Sequence, residues 1–263
     1  MLAHDYNQVR DGNLSPIILM PKLNGVRARF IPGMGFISRD QKLWPPDKFT
    51  HITPPAGYEY DGELYVHEWP LQRINSAVAI NSSEVSDDTR AIQYHIYDLP
   101  GLTNGALQRM QIISKIDFTN TGCVPIEWYN AEGTCHDKKS ARFKVFVVVG
   151  YEGMMLKQGI YENTRSFNLL KWKAWRDDWF KFSRVEEGEG KRKGMAGKLV
   201  LTTRTGLVFK CGTGWSDDLA SYWWQWRHDR KRMPTRVKIQ YINYSTGGSP
   251  LNSSFLEAEY GNI

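Results

Sequence analysis

"MPKLNGVRARF", residues 20–30, places one lysine ahead of an Asn-Gly pair and two arginines within the five positions that follow. Asn-Gly is a turn dipeptide, so the stretch joins two strands. The same residues also suit a second use, with Lys22 as a nucleophile on a loop and Arg27 and Arg29 placed for an anionic substrate. Working outward, further short runs carry strand composition: "PIILM" (16–20), "VRARFI" (26–31), "YEYDGELYV" (58–66), "IQYHIYDL" (92–99) and "GYEGMMLK" (150–157). "KLVLTT" (198–203), "GLVFK" (206–210) and "RVKIQYI" (236–242) continue the pattern. Helix signals are fewer, at "PLQRINSAVAI" (70–80) and "KKSARFKVFV" (138–147), the second of which could also extend as a strand. The chain therefore reads as α+β followed by a β-rich tail.

With 263 residues, 41% hydrophobic and 13% aromatic, the chain can bury a large core in one or two domains. Its first residues, "MLAHDYNQVRDG", show no leader pattern, and no apolar run reaches spanning length, so a soluble intracellular (cytoplasmic) protein without a membrane partner is expected. Cys123, Cys135 and Cys211 have no paired spacing, which points to neither a disulfide framework nor a thiolate zinc site. The six histidines have no metalloprotease spacing.

Charge is unevenly distributed. Residues 179–263 hold 14 lysines and arginines against 8 acidic residues, which accounts for the whole net charge of +6. A basic C-terminal part suits a polyanion, since each neutralised phosphate releases counterions. A domain boundary is expected near residue 179, giving domains 1–178 and 179–263, because "EEGEGKRKGMAGK" (186–198) is charged, glycine-rich and poor in apolar residues. That segment is not a phosphate-binding loop: no glycine stands five positions before Gly197-Lys198, and neither Ser nor Thr follows.

Pairs of charged residues at a spacing of two carry the chemistry, because alternate strand positions share a face. Asp61 and Glu63 project together, as do Lys171 and Lys173, with Trp172 turned into packing; Glu152 precedes a strand that ends at Lys157. With Lys22 these residues specify a pocket of one nucleophilic amine, several carboxylates and several cations. Carboxylates hold a divalent metal, and the metal and lysines neutralise charge on phosphate oxygens, so the set suits nucleotidyl transfer. Nearby cations and burial both favour the neutral amine that attack requires.

In order, "KLNG" (22–25), "SRD" (38–40), "DGELYV" (61–66), "YHIYDL" (94–99), "EGMMLK" (152–157) and "LLKWK" (169–173) resemble the motifs of ATP-dependent DNA ligases, especially the small two-domain ligases of bacteriophages. The resemblance covers about residues 17–180, with a weaker match to an oligonucleotide-binding β-barrel over about 181–250. It implies an antiparallel-sheet nucleotidyltransferase domain, an ATP-grasp-like adenylation fold, followed by a β-barrel OB-fold domain. It further implies that Lys22 attacks ATP to form lysyl-AMP, that Arg27 and Arg39 contact phosphate or sugar, and that Glu63 binds the ribose or supports a metal. Tyr97 stacks on adenine, Glu152 helps hold Mg2+ or Mn2+, and Lys171 and Lys173 contact the α-phosphate. The implied partner is nicked duplex DNA, bound by a monomer. Arg165, ahead of "LLKWK", also fits the family.

Three departures stand out. Asn24 occupies the usual aspartate position, Met20 replaces a polar residue expected to read the adenine edge, and the stretch "SPLNSSFLEAEYGNI" (249–263) lacks any basic residue while carrying Glu257 and Glu259. The family's terminal segment is ordinarily arginine-rich and orients pyrophosphate, so either another cation substitutes or self-adenylation is slow. "SYWWQWRHDRKRMPTR" (221–236) mixes cations with Trp223, Trp224 and Trp226, a nucleic-acid surface in which Arg230, Lys231 and Arg232 contact DNA. The alternatives are an RNA ligase using the same lysine and a non-catalytic protein that binds nicked DNA; no feature favours a GTP-using capping enzyme.

Overall fold

A computed structural model describes residues 2–7, 18–131, 133, 136–245 and 247–261. Contacts divide the chain into two compact units, Met1–Lys173 and Ala174–Ile263. The division expected after residue 178 falls within a strand, Arg176–Glu187, whose ladder to the second unit begins at Arg176 opposite Tyr241. Residues 176–178 are tied to the second unit by those hydrogen bonds.

Among its described residues the first unit contains ten strands: β1 (Leu2–Asp5), β2 (Ile18–Lys22), β3 (Val26–Ile31), β4 (Gly35–Ser38), β5 (Tyr60–Tyr65), β6 (Gln93–Asp98), β7 (Cys123–Pro125), β8 (Tyr129–Asn130), β9 (Gly153–Lys157) and β10 (Arg165–Lys173). They form two five-stranded sheets, ordered β1-β10-β9-β2-β8 and β4-β3-β5-β6-β7. The sheets are mixed rather than purely antiparallel, since β1 runs parallel to β10 and β6 parallel to β7. Among the described residues the helices of this unit are α1 (Leu71–Ala77), α2 (Asp87–Ala91), α3 (Ala106–Ile113) and α4 (His136–Val148). Ser86 caps α2 by accepting from the Thr89 N–H, while the Thr89 hydroxyl serves the Ser86 backbone in return.

Strand β2 shows why its sequence is a continuous apolar run. Ile18 and Met20 join the larger core, with Tyr60, Tyr94 and Met110, whereas Leu19 faces a second core with Phe146, Leu156 and Leu170. A strand covered on both faces needs apolar side chains at successive positions. On β6, by contrast, Tyr94, Ile96 and Asp98 are buried and the intervening residues less so.

Asn24-Gly25 does not close a hairpin. It carries the chain from β2 in the first sheet to β3 in the second. Gly25 is required by close approach: a Cβ there would lie 2.5 Å from the Leu64 carbonyl oxygen and 2.8 Å from Glu63 Cγ. Gly25→Ala is accordingly expected to lower stability by about 1–3 kcal/mol through overpacking, measured as a shift in urea midpoint.

The second unit has β11 (Arg176–Glu187), β12 (Ala196–Thr202), β13 (Val208–Cys211), helix α5 (Asp217–Gln225), β14 (Arg236–Tyr241) and β15 (Ser254–Glu259), with sheet order β13-β12-β11-β14-β15. Val237, Ile239 and Tyr241 alternate inward on β14 to meet Phe180, Leu199, Leu201, Trp215 and Trp223. The charged, glycine-rich 186–198 segment connects β11 to β12, with the Gly188 N–H donating to the Met195 carbonyl at 2.9 Å; its composition reflects a loop within a sheet. No ladder joins β13 to β15 among the described residues, so the closed barrel is not formed by strand pairing. The two edges meet where the Phe255 N–H donates to the Thr213 carbonyl at 2.9 Å and the Thr213 hydroxyl donates to the Ser253 carbonyl at 3.2 Å.

Cys123 and Cys211 are buried free thiols, and Cys135 lies outside the described residues. No described helix is long and apolar enough to cross a membrane.

Candidate active site

Sheet register assembles the first half of the site. Lys22 on β2 stands opposite Gly153 on β9, and Gly153 stands opposite Lys173 on β10. The Glu152 N–H donates to the Lys22 carbonyl at 3.1 Å, which sets Glu152 at the head of the central strand. Its carboxylate then lies between two lysines: Lys22 Nζ donates to Oε2 at 2.5 Å, and Lys173 Nζ is 3.4 Å from Oε1. Burial, reinforced by Lys22 and Lys171 and opposed by Glu152, pushes the Lys173 ammonium below the ordinary lysine range. Gly153 is bound to this arrangement, because a Cβ would come within 2.1 Å of the Trp172 carbonyl oxygen.

Strand alternation on β10 holds as expected. Trp172 stacks on Tyr6 and Phe143 at ring-centroid distances of 4.5 and 4.6 Å, while Lys171 lines the cavity and lies 3.4 Å from Asp5.

The other sheet supplies the second half. Arg27 pairs across β3 and β5 with Glu63 in register, but its guanidinium reaches diagonally to Asp61, donating from Nε to Oδ1 at 2.9 Å and from Nη2 to Oδ2 at 2.7 Å. Tyr161 donates to the same carboxylate at 3.0 Å. Burial, with Asp61 adding and Lys22 and Arg27 opposing, pushes the Glu63 carboxyl up to about 7. Its proton is thus retained in the folded state at pH values where the unfolded chain has lost it, so stability falls as pH rises from about 4.5 to about 7. Glu63→Gln is expected to remove that slope: urea midpoints at about pH 5 and about pH 8 should draw together in the variant.

Lys22, Arg27, Arg39, Glu63, Tyr97 and Lys171 all line one cavity of about 260 Å³. Arg39 reaches it from an exposed turn after β4. Glu152 adjoins it through its pairing with Lys22, and Lys173 through its own pairing with Glu152. Met20 and Arg165 also line it, and Arg165 donates to the Ala3 carbonyl at 2.7 Å. Arg29 is instead occupied by Glu59.

Sequence reasoning did not foresee a buried ion cluster at and behind the cavity wall. Asp98, Arg109 and Lys157 are each 2% exposed or less. Asp98 and Lys157 fall inside quoted motifs and offered a signal; Arg109, on α3, gave none. Asp61, read as a partner of Glu63, is committed to Arg27.

Among the described residues no group of three or more His, Cys, Asp or Glu side chains could hold a metal ion. Mg2+ is commonly bound through one or two carboxylates together with substrate phosphates, and Glu152 and Glu63, as hard oxygen donors beside a lysine-lined cavity, fit that donor set.

In the second unit, Arg230, Lys231 and Arg232 are exposed after α5, and Arg230 and Lys231 border a surface hollow with Trp226 and His228. The three tryptophans divide. Trp223 is fully buried, whereas Arg227 covers Trp224 at 4.2 Å and Arg232 covers Trp226 at 3.5 Å. The acidic terminal segment forms β15, where Glu259 stands opposite Arg236 with their charged atoms 3.5 Å apart.

Residues 187–258 match the family model of the DNA ligase OB-like domain. No curated protein matches the chain by sequence. Among solved structures, a Lig E DNA ligase is 25% identical over 98% of this chain and 98% of that one, with a TM-score of 0.81. The Chlorella virus DNA ligase-adenylate is 19% identical over 100% and 98% of the two chains, and the ATP-dependent DNA ligase of bacteriophage T7, in complex with ATP, 13% over 98% and 97%; each has a TM-score of 0.54, a likeness of fold. The second unit thus carries an OB-like ligase module, and the chain as a whole is similar from end to end to a Lig E DNA ligase.

Proposed function

We propose that the protein seals nicks in duplex DNA through a lysyl-AMP intermediate on Lys22. The observation that supports this most directly is the row Lys22, Gly153, Lys173 across three hydrogen-bonded strands, with the Glu152 carboxylate held between the two lysines, beside a cavity lined by Lys22, Arg27, Arg39, Glu63, Tyr97 and Lys171.

In the first step Nζ attacks the α-phosphorus of ATP, an N–P bond forms, and the bond to pyrophosphate breaks. The Nζ proton, now donated to Glu152, is handed on as the electron pair engages phosphorus. Lys171 and Lys173 neutralise the α-phosphate, Arg27 and Arg39 hold phosphate or sugar oxygens, Glu63 meets the ribose, and Tyr97 offers its ring to the base. Glu152, with Glu63 in support, would hold a divalent ion, Mg2+ or Mn2+, which when bound would add charge neutralisation at the phosphates. A 5′-phosphate oxygen of DNA then takes AMP from Lys22, breaking the N–P bond. Finally a 3′-hydroxyl attacks the activated 5′-phosphate, closing the phosphodiester and releasing AMP. The two domains of this scheme are 1–178 and 179–263 as read from sequence, the second an OB fold, and the working form is a monomer in the cytoplasm.

Arg230, Lys231 and Arg232 are assigned to DNA contact. Arg230→Ala and Lys231→Ala should each weaken binding to nicked duplex and reduce the slope of log affinity against log salt by about 0.9; slopes equal to that of the parent would remove them from the interface.

The test of the whole reading is incubation with magnesium and α-labelled ATP, followed by denaturation and assay for covalent label, with a nicked duplex in parallel. Label plus sealing is the expected result. Sealing of an RNA-containing nick in preference to DNA would point to an RNA ligase, and binding without label or sealing to a non-catalytic nick-binding protein, the reading that Asn24 motivates.

A further inference from the structure

At the cavity wall, and reaching behind it to Arg109, lies an ion cluster with no role in the scheme above. Arg109 on α3 is fully buried and does not line the cavity. Its Nε donates to Asp98 Oδ1 at 2.6 Å and its Nη2 to Oδ2 at 3.4 Å. Its Nη1 donates to the Asn104 carbonyl and, at 3.2 Å, to the Gly159 carbonyl. One guanidinium thus joins the end of β6, the segment before α3 and the turn after β9.

Asp98 is in turn held by three partners. Besides Arg109 it accepts from the Leu99 N–H at 2.9 Å, and its Oδ2 lies 3.1 Å from Lys157 Nζ. Lys157 also donates to the Tyr97 carbonyl. Asp98, Lys157 and Tyr97 all line the cavity. The chain of contacts therefore runs from Arg109, outside the cavity, to the strand segment carrying the Tyr97 ring.

Two cations and one anion taken wholly out of water are costly, and an apolar cluster of similar volume would pack with less penalty. What the ionic arrangement supplies is direction. A planar fork fixes Asp98 in one orientation, Asp98 fixes Lys157, and Lys157 fixes the backbone at Tyr97.

We propose that Arg109 is a positioning residue for the base end of the nucleotide site, acting through Asp98 and Lys157 on the wall that Tyr97 provides. This rests on the reading of the cavity as a nucleotide site. Met20, which also lines the cavity, offers only a thioether, so orientation of the base depends more heavily on how rigidly the Tyr97 segment is held.

Lysine at position 109 keeps the charge but loses the fork. In Arg109→Lys, equilibrium binding of labelled ATP and of adenosine, measured where the protein is fully folded, should weaken for both ligands by the same factor, between about 10- and 100-fold. The adenylation rate at saturating ATP should stay close to that of the parent. Ile113→Val, a packing change on the same helix outside the cluster, controls for stability alone and should bind both ligands as the parent does. Unchanged affinities in Arg109→Lys, a loss for ATP without a matching loss for adenosine, or an equal loss in Ile113→Val would each overturn the proposal. If the parent binds neither ATP nor adenosine, the nucleotide reading itself fails, and that arm shows it without any variant.

Discussion

Lys22→Ala should yield no covalent label from α-labelled ATP, a loss on the order of 10³-fold or more, the scale seen when a covalent nucleophile is removed. The expectation follows from placement. Lys22 ends β2 at the cavity wall, with its Nζ already directed to Glu152 at 2.5 Å. Lys22→Arg is the sharper companion, since it keeps a cation beside Glu152 but offers no amine that can form the adduct. Both variants should remain folded, because the Lys22 side chain is partly exposed and alanine leaves little void. A pre-adenylated nick supplies AMP already transferred, so sealing of that substrate should persist at a reduced rate. Label retained in either variant would place the nucleophile elsewhere.

Asp98→Asn should have the largest effect on stability. It leaves Arg109 and Lys157, both buried, without the carboxylate that neutralises them, at a cost of about 3–5 kcal/mol. For a unit of this size that lowers the melting temperature by roughly 10 °C or more. Burial pushes the Asp98 carboxyl upward, but Lys157 and Arg109 outweigh it and hold it below the usual aspartate range. A depressed carboxylate contributes stability above its unfolded pKa that is lost as pH falls through the folded value. The variant should therefore be far less stable than the parent at neutral pH and approach it in strong acid, as followed by urea denaturation. A constant difference across that range would show that the carboxylate's charge is not what matters.

Much of this was legible before any coordinates. The paired spacings at Asp61 and Glu63 and at Lys171 and Lys173 are sound because strand periodicity is local, and Trp172 turns away as that period requires. The eight quoted strand runs all contain strand, and both helix candidates hold helices, the first as Leu71–Ala77. What escaped depends on contacts between distant segments. Asn24-Gly25 reads as a turn between two strands, as it is, but only the pairing shows that those strands lie in different sheets. The 186–198 loop reads as a linker because a solvated loop and an interdomain connection have the same composition. Arg109 sits on a helix of eight residues without a distinctive motif, and nothing local marks an arginine that will be buried against Asp98. Helix α5 lay hidden in a stretch read for its charges and tryptophans, though Ser216 caps it by accepting from the Leu219 N–H.

The row formed by Lys22, Gly153 and Lys173 has a bearing on how such a protein can change. Its spacing is set by the lateral repeat of a sheet, about 4.8 Å from strand to strand, and not by the length of chain between the three positions. Residues may be added or removed in the exposed connections without moving one member of the row relative to another. A single residue inserted within β2, β9 or β10 does the opposite, sending every side chain beyond it to the other face. Length variation is therefore tolerated between these strands and forbidden inside them, so the sheet acts as a ruler that outlasts changes in the loops it joins.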